Sequence, residues 1–372
     1  MSVKCQTIIS HIEQLAPKSL AEDWDNVGLN IGDPSIEVNG ILVTLDVNSE
    51  VVDEAVSLGA NLIISHHPVI FKTIKSIRGD LPHGQLLTKI VKNDIAVYCV
   101  HTNLDSAKEG VNQVLADLFQ LENVEVLNPD KSDKLYKIVV FVPESHAEAV
   151  REAMTKAGAG WIGNYSDCTF AVPGIGTFKA AEGCKPFTGQ VGVLENAAEI
   201  RLETVARENQ VQRVVRAMLK AHPYEEAAYD IYLLTNFTEK LGLGKVGTLP
   251  TPIKLRQFMD IIKKLLNVPA VRYGGDPKAE VQKIAVCGGS GASLIHKACF
   301  AGADVFLTGD LKYHEAQEAN SMGLGFVDAG HFATENPVVE RLARFLEESF
   351  AAWGISVPVS VSKFNSDSFR YY

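Results

Sequence analysis

The chain contains, at residues 59–68, the stretch Gly59-Ala60-Asn61-Leu62-Ile63-Ile64-Ser65-His66-His67-Pro68. This short apolar run follows a glycine and ends on two adjacent histidines. Similar apolar runs come before His101, at residues 95–100, and before His331, at residues 325–327. Apolar runs that alternate with amphipathic helical segments predict βαβ units and a mostly parallel sheet. Ligands collect at the carboxyl ends of the strands in such sheets, so the polar clusters are expected at one edge.

The same alternation occurs at both ends of the chain. Strands are predicted at residues 40–46, 61–65 and 95–100, with helices at 51–58, 85–92 and 111–118; Ser49 is the candidate N-cap of the first helix and Gly59 its stop. The carboxyl-terminal end repeats this order, with strands at 283–287, 304–307 and 324–327 and helices at 293–300, 314–321 and 337–345. Residues 302–308 match residues 59–65 in character. We therefore predict an α/β domain made of two diverged halves.

The segment between the halves has a different pattern. Strands are predicted at residues 137–142 and 228–234, strand pieces near residues 168–172, 176–180 and 200–206, and helices at 147–156 and 211–221. This β-α-β-β-α-β order predicts a ferredoxin-like α+β domain inserted between the halves. The expected joints are Asn128-Pro129-Asp130 and Leu241-Gly242-Leu243-Gly244. The predicted division is residues 1–128 and 244–372 for the metal-binding α/β domain, and residues 129–243 for the insert.

Size and composition narrow the class of protein. A chain of 372 residues is longer than most domains with a single hydrophobic core, so more than one domain is expected. The net charge is −10 and no long basic run is present, so general nucleic-acid binding is disfavoured. Six cysteines without a CxxC pair, no secretory leader and no apolar stretch of ~18 residues together predict a soluble, cytoplasmic protein.

Histidines and carboxylates at the three strand ends predict a metal centre. The candidate ligands are His66, His67, Asp105, His331 and Glu335. These donors suit Zn, Fe, Mn, Ni or Co, and the lack of cysteine ligands argues against a closed structural zinc site. Two such ions can share the site and lower the pKa of a bound water. His101 lies four residues before Asp105, and it is either a ligand or a residue that orients one or moves protons. Taken singly, each histidine could merely end a strand.

Four further motifs have two interpretations each. Asp23-Trp24-Asp25-Asn26-Val27-Gly28 either lines the site, with Trp24 stacking on a planar group and Asn26 reading its edge, or is a turn with a packed tryptophan, which is favoured. Gly288-Gly289-Ser290-Gly291 could hold phosphate, but close packing is favoured. Asp310 could touch the site, but helix capping is favoured. His222-Pro223 could bind metal, but a helix stop is favoured.

Four motifs together resemble one family. The segment from Asp23 to Gly28, Ser65-His66-His67-Pro68, His101-Thr102-Asn103-Leu104-Asp105 and Gly330-His331-Phe332-Ala333-Thr334-Glu335 are similar to motifs of the Nif-three-like dinuclear metal-centre proteins, also called GTP cyclohydrolase 1 type 2 homologues. The middle segment resembles the extra, PII- and CutA-like domain of the long bacterial members.

The resemblance carries implications for assembly and for ligand roles. It implies a toroidal homohexamer with metal sites facing an inner cavity and inserts capping the openings as trimers. It also implies that His66 and Asp105 hold one divalent ion, that His67 and His331 hold the other, and that Glu335 bridges the two.

The function expected from these observations is that of a dinuclear metal-dependent hydrolase. If the family name describes the activity, the substrate is GTP, and a metal-activated water attacks C8 of the purine so that its imidazole ring opens. The alternative is a regulatory or metal-handling hexamer that binds ions or a nucleotide without turnover. The likeness of the insert to sensor domains motivates this second hypothesis.

Overall fold

The structure, a computed structural model, describes residues 3–163 and 165–371. The chain divides into two compact units. The first, called the terminal unit below, combines residues 1–131 with residues 241–372, and the second, the middle unit, comprises residues 132–240. Because the terminal unit draws on both ends of the sequence, side chains far apart in the chain can meet in one site.

The amino-terminal part of the terminal unit is built around a sheet of five strands. Its elements are β1 (Val3–Lys4), α1 (Cys5–Leu15), a 3₁₀ turn (Lys18–Leu20), β2 (Gly28–Ile31), β3 (Glu37–Val38), β4 (Ile41–Thr44), α2 (Ser49–Leu58), β5 (Leu62–Ser65), α3 (Pro82–Lys92), β6 (Ala96–Cys99), α4 (Thr102–Ser106) and α5 (Val111–Leu118). The strand at Val359–Val361 joins β4, β5 and β6 in parallel, and β2 closes the other edge antiparallel to β6. The short strands β1 and β3 pair separately.

The register of the three central strands sets the position of the polar residues that come after them. Strands β4, β5 and β6 are buried along their whole length, which explains why they read as continuous apolar runs. Thr44 pairs with Ser65, and Ser65 pairs with Cys99. The carboxyl ends of the strands are therefore level, and the residues after them emerge at one edge.

The middle unit draws on four strands and has its own core. It contains part of β7 (Glu122–Pro143), a 3₁₀ turn (Glu144–His146), α6 (Ala147–Lys156), β8 (Thr169–Lys179), β9 (Leu194–Arg207), a 3₁₀ turn (Glu208–Gln210), α7 (Val211–Ala221) and the beginning of β10 (Tyr229–Lys254). The strand order is β10-β7-β9-β8, with β9 antiparallel to both neighbours. Apolar residues of both helices and of the strands, among them Val140, Met154, Leu202 and Met218, form the buried core.

The carboxyl-terminal part repeats the three-stranded parallel arrangement. Its elements are the end of β10, α8 (Leu255–Leu265), β11 (Arg272–Gly274), β12 (Glu280–Ser290), a 3₁₀ turn (Ala292–Leu294), α9 (Ile295–Phe300), β13 (Val305–Gly309), α10 (Tyr313–Ser321), β14 (Gly325–Asp328), α11 (His331–Glu335), α12 (Pro337–Trp353) and β15 (Val359–Val361). Strands β12, β13 and β14 are parallel, while β10 and β11 flank them antiparallel. The predicted mixed α/β fold with several sheets is confirmed.

Gly59 and Gly302 occupy the same place in the two parallel sets. Gly59 ends α2 with φ of +67°, and Gly302 follows α9 with φ of +72°. Each precedes the middle strand of its set, β5 or β13. A left-handed residue is needed at both sites to turn the chain from helix to strand, and glycine adopts it without steric cost.

Local details differ from the sequence-based expectations at two places. The N-cap of α2 is Asn48, not Ser49, because the Asn48 side chain accepts the hydrogen bond from the Val51 N–H. The two expected joints are not loops but lie inside the long strands β7 and β10. Gly242 is required there because a Cβ at this position would collide with the carbonyl of Asn128. This glycine therefore marks the close approach of two backbone segments and not a flexible joint.

None of the helices in the described ranges is long and apolar enough to cross a lipid bilayer. All six cysteines are free.

Candidate metal centre

Two strand ends and two short helices bring the predicted ligands and His101 together. His66 and His67 directly follow β5, His101 lies two residues after β6, and Asp105 is in α4. Glu335 comes from the other half of the terminal unit, where α11 begins three residues after β14 ends. The ligand atoms of these side chains fall into overlapping groups in which they lie within 4.8 Å of one another.

The first group contains His66, Asp105 and Glu335. The Nε2 atom of His66 lies 3.6 Å from Oδ1 of Asp105 and 3.8 Å from Oε1 of Glu335. His66 and Glu335 are almost fully buried, with 1% and 3% of their surface exposed. Three polar atoms from separate elements thus converge in a place from which water is largely excluded.

The second group contains His67, His331 and Glu335. The Nε2 atoms of both histidines lie 3.0 Å from Oε2 of Glu335 and 3.3 Å from each other. His331 and Glu335 are the first and last residues of α11, and the four-residue spacing places them on one helix face. Glu335 therefore presents one oxygen to each group.

Each imidazole has its Nδ1 atom fixed by an acceptor. The Nδ1 atom of His66 donates to the carbonyl of Val100 at 2.9 Å, which leaves the lone pair of its neutral ring on Nε2. Three carboxylates play the same part for the other rings, all at 2.7–2.9 Å: Asp46 for His67, Asp25 for His101 and Asp310 for His331. Such partners fix the tautomer and orientation of metal-binding histidines.

The buried carboxylates favour positive charge on the imidazoles. Burial opposes a charge on His67, but hydrogen bonds with Asp46 and Glu335 outweigh it and raise its pKa to about 10. Burial likewise opposes a positive charge on His331. Its contacts with the carboxylates of Glu335 and Asp310 outweigh this effect and raise its pKa to about 9. Glu335 is itself buried, yet the imidazoles around it hold its pKa well below the usual range. The carboxylates therefore give the centre a negative charge that stabilises bound cations.

The donor set fits divalent transition-metal ions. The Nε2 atom of His66 and Oδ1 of Asp105 are buried, face each other at 3.6 Å and make no hydrogen bond with the described residues. Buried polar atoms without a partner are rare in proteins, and two that face each other are rarer. Donor atoms held by a tetrahedral ion at ~2.1 Å lie roughly 3.4 Å apart, close to the separations in the second group. Imidazole and carboxylate donors are those expected of Zn, Fe, Mn, Ni or Co.

His101 lies against the centre and is tied to Asp25. Its ring centroid is 5.2 Å from that of His66 and 5.4 Å from that of His67, and it forms a third candidate group with them. The buried Asp25 carboxylate also accepts hydrogen bonds from the backbone and hydroxyl of Thr102. Burial opposes ionisation of Asp25, but the hydrogen bonds from His101 and Thr102 outweigh it and lower its pKa to about 2.

The orienting carboxylates were not identified from the sequence as partners of the histidines. Asp46 follows the apolar run of β4 as His66 follows that of β5, so its position at a strand end was the available signal. The preference for helix capping by Asp310 was wrong, because Asp310 instead accepts a hydrogen bond from His331. Asp25 was considered only as a member of the segment from Asp23 to Gly28, without a role of its own.

Two other motifs take the interpretation that the sequence favoured. The amides of Gly288, Gly289 and Gly291 donate to the side chains of Asn112, Thr334 and Thr308, so these three amides are already engaged and do not bind a phosphate. At the end of α7, His222 contacts the carbonyl of Phe141 through Nε2 and accepts a hydrogen bond from the Tyr224 N–H at Nδ1. Both ring nitrogens of His222 are thus engaged within the fold.

Gly289 permits the close approach of Glu335, which gives a testable prediction. Gly289 has φ of +64°, and a Cβ there would collide with Oε1 of Glu335. Gly289→Ala should displace the carboxylate and lower the metal content by about half or more, as measured by elemental analysis. Gly323→Ala is the matched control, since Gly323 has φ of +73° but open space around its Cβ position. Both variants carry the same backbone strain, ~1 kcal/mol, so equal metal contents would contradict the prediction.

The family model that matches the chain is Duf34/NIF3 (NGG1p interacting factor 3), and it covers residues 3–368. Curated relatives match over nearly the whole length. A protein of Bacillus subtilis named GTP cyclohydrolase 1 type 2 homolog is 45% identical over 370 residues, which are 100% of this chain and 99% of the relative. A protein of the same name from Halalkalibacterium halodurans is 45% identical over 346 residues, 92% of this chain and 93% of the relative.

A solved structure agrees with the fold over the full length. The crystal structure of a Bacillus cereus protein related to NIF3 superposes with a TM-score of 0.89 at 44% sequence identity, covering 100% of both chains. The similarity in sequence and in structure therefore extends over both units.

Proposed function

This chain belongs to the Duf34/NIF3 family, and we propose that it is a metal-dependent hydrolase with two divalent transition-metal ions per chain. The observation that carries the proposal is the pair of donor groups that share Glu335, with two buried polar atoms, on His66 and Asp105, that have no hydrogen-bond partner among the described residues. Histidines fixed at Nδ1 and open at Nε2 are the arrangement that metal-binding imidazoles require.

Each ligand has a proposed role in this centre. His66 and Asp105 would hold one ion, His67 and His331 would hold the other, and Glu335 would offer one carboxylate oxygen to each pair. When bound, such a pair of ions supplies a nucleophile at neutral pH and stabilises negative charge that develops on the substrate. Asp46 and Asp310 keep the rings of His67 and His331 in place. His101, held by Asp25, is a positioning residue beside His66 and His67.

The proposed reaction is hydrolysis of a nucleotide, with ring opening of GTP at C8 as the specific case. The name of the curated relatives supports the choice of GTP as the first substrate to test. A second candidate function is a metal- or nucleotide-binding regulatory assembly without turnover. The separate middle unit, which has its own core and contributes none of the proposed ligands, favours this alternative.

We also propose that the middle unit is an inserted ferredoxin-like domain and that six chains form a ring capped by trimers of it. The β10-β7-β9-β8 strand order with two helices supports the first statement. Large exposed apolar side chains on its strands, such as Phe170, Ile175 and Leu233, support association through this unit. Native mass spectrometry of the metal-loaded protein should give the mass of six chains, whereas a monomer would contradict the ring.

The experiment that tests the function measures metal content and GTP turnover on the same sample of protein purified without chelator. About two transition-metal ions per chain with GTP turnover are expected. Two ions with no turnover of GTP or other nucleotides would favour the regulatory assembly. A wild-type chain without metal would contradict the proposed centre. Removal of the ions with a chelator should abolish turnover, and return of the ions should restore it.

A further inference from the structure

Two large aromatic side chains stand exposed beside the metal centre. Trp24 is 61% exposed and Phe71 is 50% exposed. Their rings meet edge to face with centroids 5.9 Å apart. Each also contacts the ring of His101, at 6.1 Å from Trp24 and 6.4 Å from Phe71. Because His101 in turn contacts His66 and His67, a single imidazole separates the aromatic pair from the proposed ligands.

The two residues that follow Trp24 are held in place by hydrogen bonds of their side chains. The side chain of Asp25 next to it is fully buried and binds His101 and Thr102. The Asn26 side chain donates to the carbonyl of Ile70 at 2.6 Å, which ties the Trp24 segment to the residue before Phe71. The favoured interpretation was right about the turn, which the hydrogen bond from the Asp25 N–H to the carbonyl of Glu22 closes. It was wrong about a packed tryptophan, because Trp24 is mostly exposed. Asn26 anchors a loop instead of reading a ligand edge. The aromatic pair is exposed on a fixed support.

The loop that carries Phe71 also provides positive charge. A cavity of about 510 Å³ opens between Phe71 and His83, and its lining, within the part of the chain that the structure describes, includes Lys72 and Lys75 but no carboxylate. In a chain of net charge −10, a cavity lined by two cations and no acid is complementary to an anion. Aromatic faces in water bind planar rings by stacking, irrespective of the identity of the base.

We infer that Trp24 and Phe71 form a ring-binding subsite of the metal centre, and that its substrates combine a planar aromatic ring with an anionic group. The ring stacks on the exposed aromatic pair, and the anionic group reaches Lys72 and Lys75. The reacting part of the substrate then faces His101 and the ligands behind it. This inference rests on the proposed function, since it assigns a substrate class to the same centre.

The test measures binding to the metal-loaded full chain, without reference to turnover. GMP and ribose 5-phosphate are a matched pair of probes, because they share the sugar phosphate and differ in the base. The chain has three tryptophans, so a Trp161→Phe/Trp353→Phe background leaves Trp24 as the only indole. In that background GMP should quench the fluorescence of Trp24 in a saturable way, and ribose 5-phosphate should not.

Variants then identify the residues that bind the ring. Because the Trp24 variants lack this fluorophore, the Kd of all variants is measured by isothermal titration calorimetry. Trp24→Ala should raise the Kd for GMP by about tenfold or more, in line with the usual loss of base stacking, while Trp24→Phe should largely restore binding. Phe71→Ala should weaken binding in the same direction. Trp353→Ala is the matched control, because Trp353 is 69% exposed in the same unit but far from this motif in sequence. Elemental analysis should show unchanged metal content in all four variants.

The possible results separate failure of the subsite from failure of the centre. Metal-loaded wild type that binds GMP and ribose 5-phosphate equally, or a Kd unaffected by Trp24→Ala, would overturn the subsite and leave the metal centre intact. Loss of the native assembly in Trp24→Ala with unchanged GMP affinity would also overturn it, by making the aromatic pair an interface. A wild-type chain without metal would overturn the proposed function and this inference with it.

Discussion

Glu335→Gln should reduce the metal content from about two ions per chain to below one and lower turnover by at least about a hundredfold. Among the described residues, Glu335 is the side chain common to the first and second donor groups, with Oε1 toward His66 and Oε2 toward His67 and His331. A neutral amide removes the negative charge and one ligand oxygen from the point where the groups join. Charge stabilisation by bound ions contributes several kcal/mol, and each ~1.4 kcal/mol lost is a tenfold decrease in rate.

Glu347→Gln is the matched control for this variant. Glu347 lies in the following helix, α12, and is exposed, so the same chemical change there should leave metal content and turnover at wild-type values. The assembly of Glu335→Gln, measured by native mass spectrometry, should persist, because the substitution keeps the size of the side chain. Full metal content with undiminished turnover in Glu335→Gln would remove this residue from the centre.

His66→Ala and His67→Ala should each lose one ion, and the two variants should lose different ions. The two residues are adjacent in sequence, yet His66 faces Asp105 while His67 faces His331. In Mn²⁺-loaded protein the two neighbouring ions should be magnetically coupled. Each variant should therefore retain about one ion per chain by elemental analysis and show the electron paramagnetic resonance signal of an isolated Mn²⁺. Turnover should fall in both variants by about a hundredfold or more, since a single ion cannot stabilise both the attacking and the leaving group as a pair of ions does.

His314→Ala provides the control, because His314 is exposed at the beginning of α10 and lies outside the three candidate groups. Retention of two ions in either His66→Ala or His67→Ala would contradict the assignment of that histidine. Loss of both ions in each single variant would show that the ions bind only as a pair, and the division of the ligands between two ions would then need revision.

The sequence alone predicted the elements that depend on local pattern. Strands β4, β5 and β6 and helix α5 follow from continuous apolar runs and helical periodicity, which the chain carries in a few neighbouring residues. His66, His67 and His331 were recognisable as candidates because each comes after such a run, and parallel strands bring the residues beyond their carboxyl ends to one edge. Membership of the family was likewise predicted from four short motifs, and the match of the family model confirms it.

Tertiary structure decided how the candidates are oriented and which groups surround them. Asp46 and Asp310 lie 21 residues from the histidines that they orient, and Asp25 lies 76 residues from His101, so these hydrogen bonds depend on strand register and packing. The hydrogen bond from Asn26 to the carbonyl of Ile70, which ties the Trp24 segment to the residue before Phe71, likewise spans 44 residues. Local pattern fixes where a side chain emerges from its strand or helix. Only the packing of distant segments fixes which carboxylate the Nδ1 atom of a histidine contacts, or which ring an aromatic side chain such as Trp24 meets.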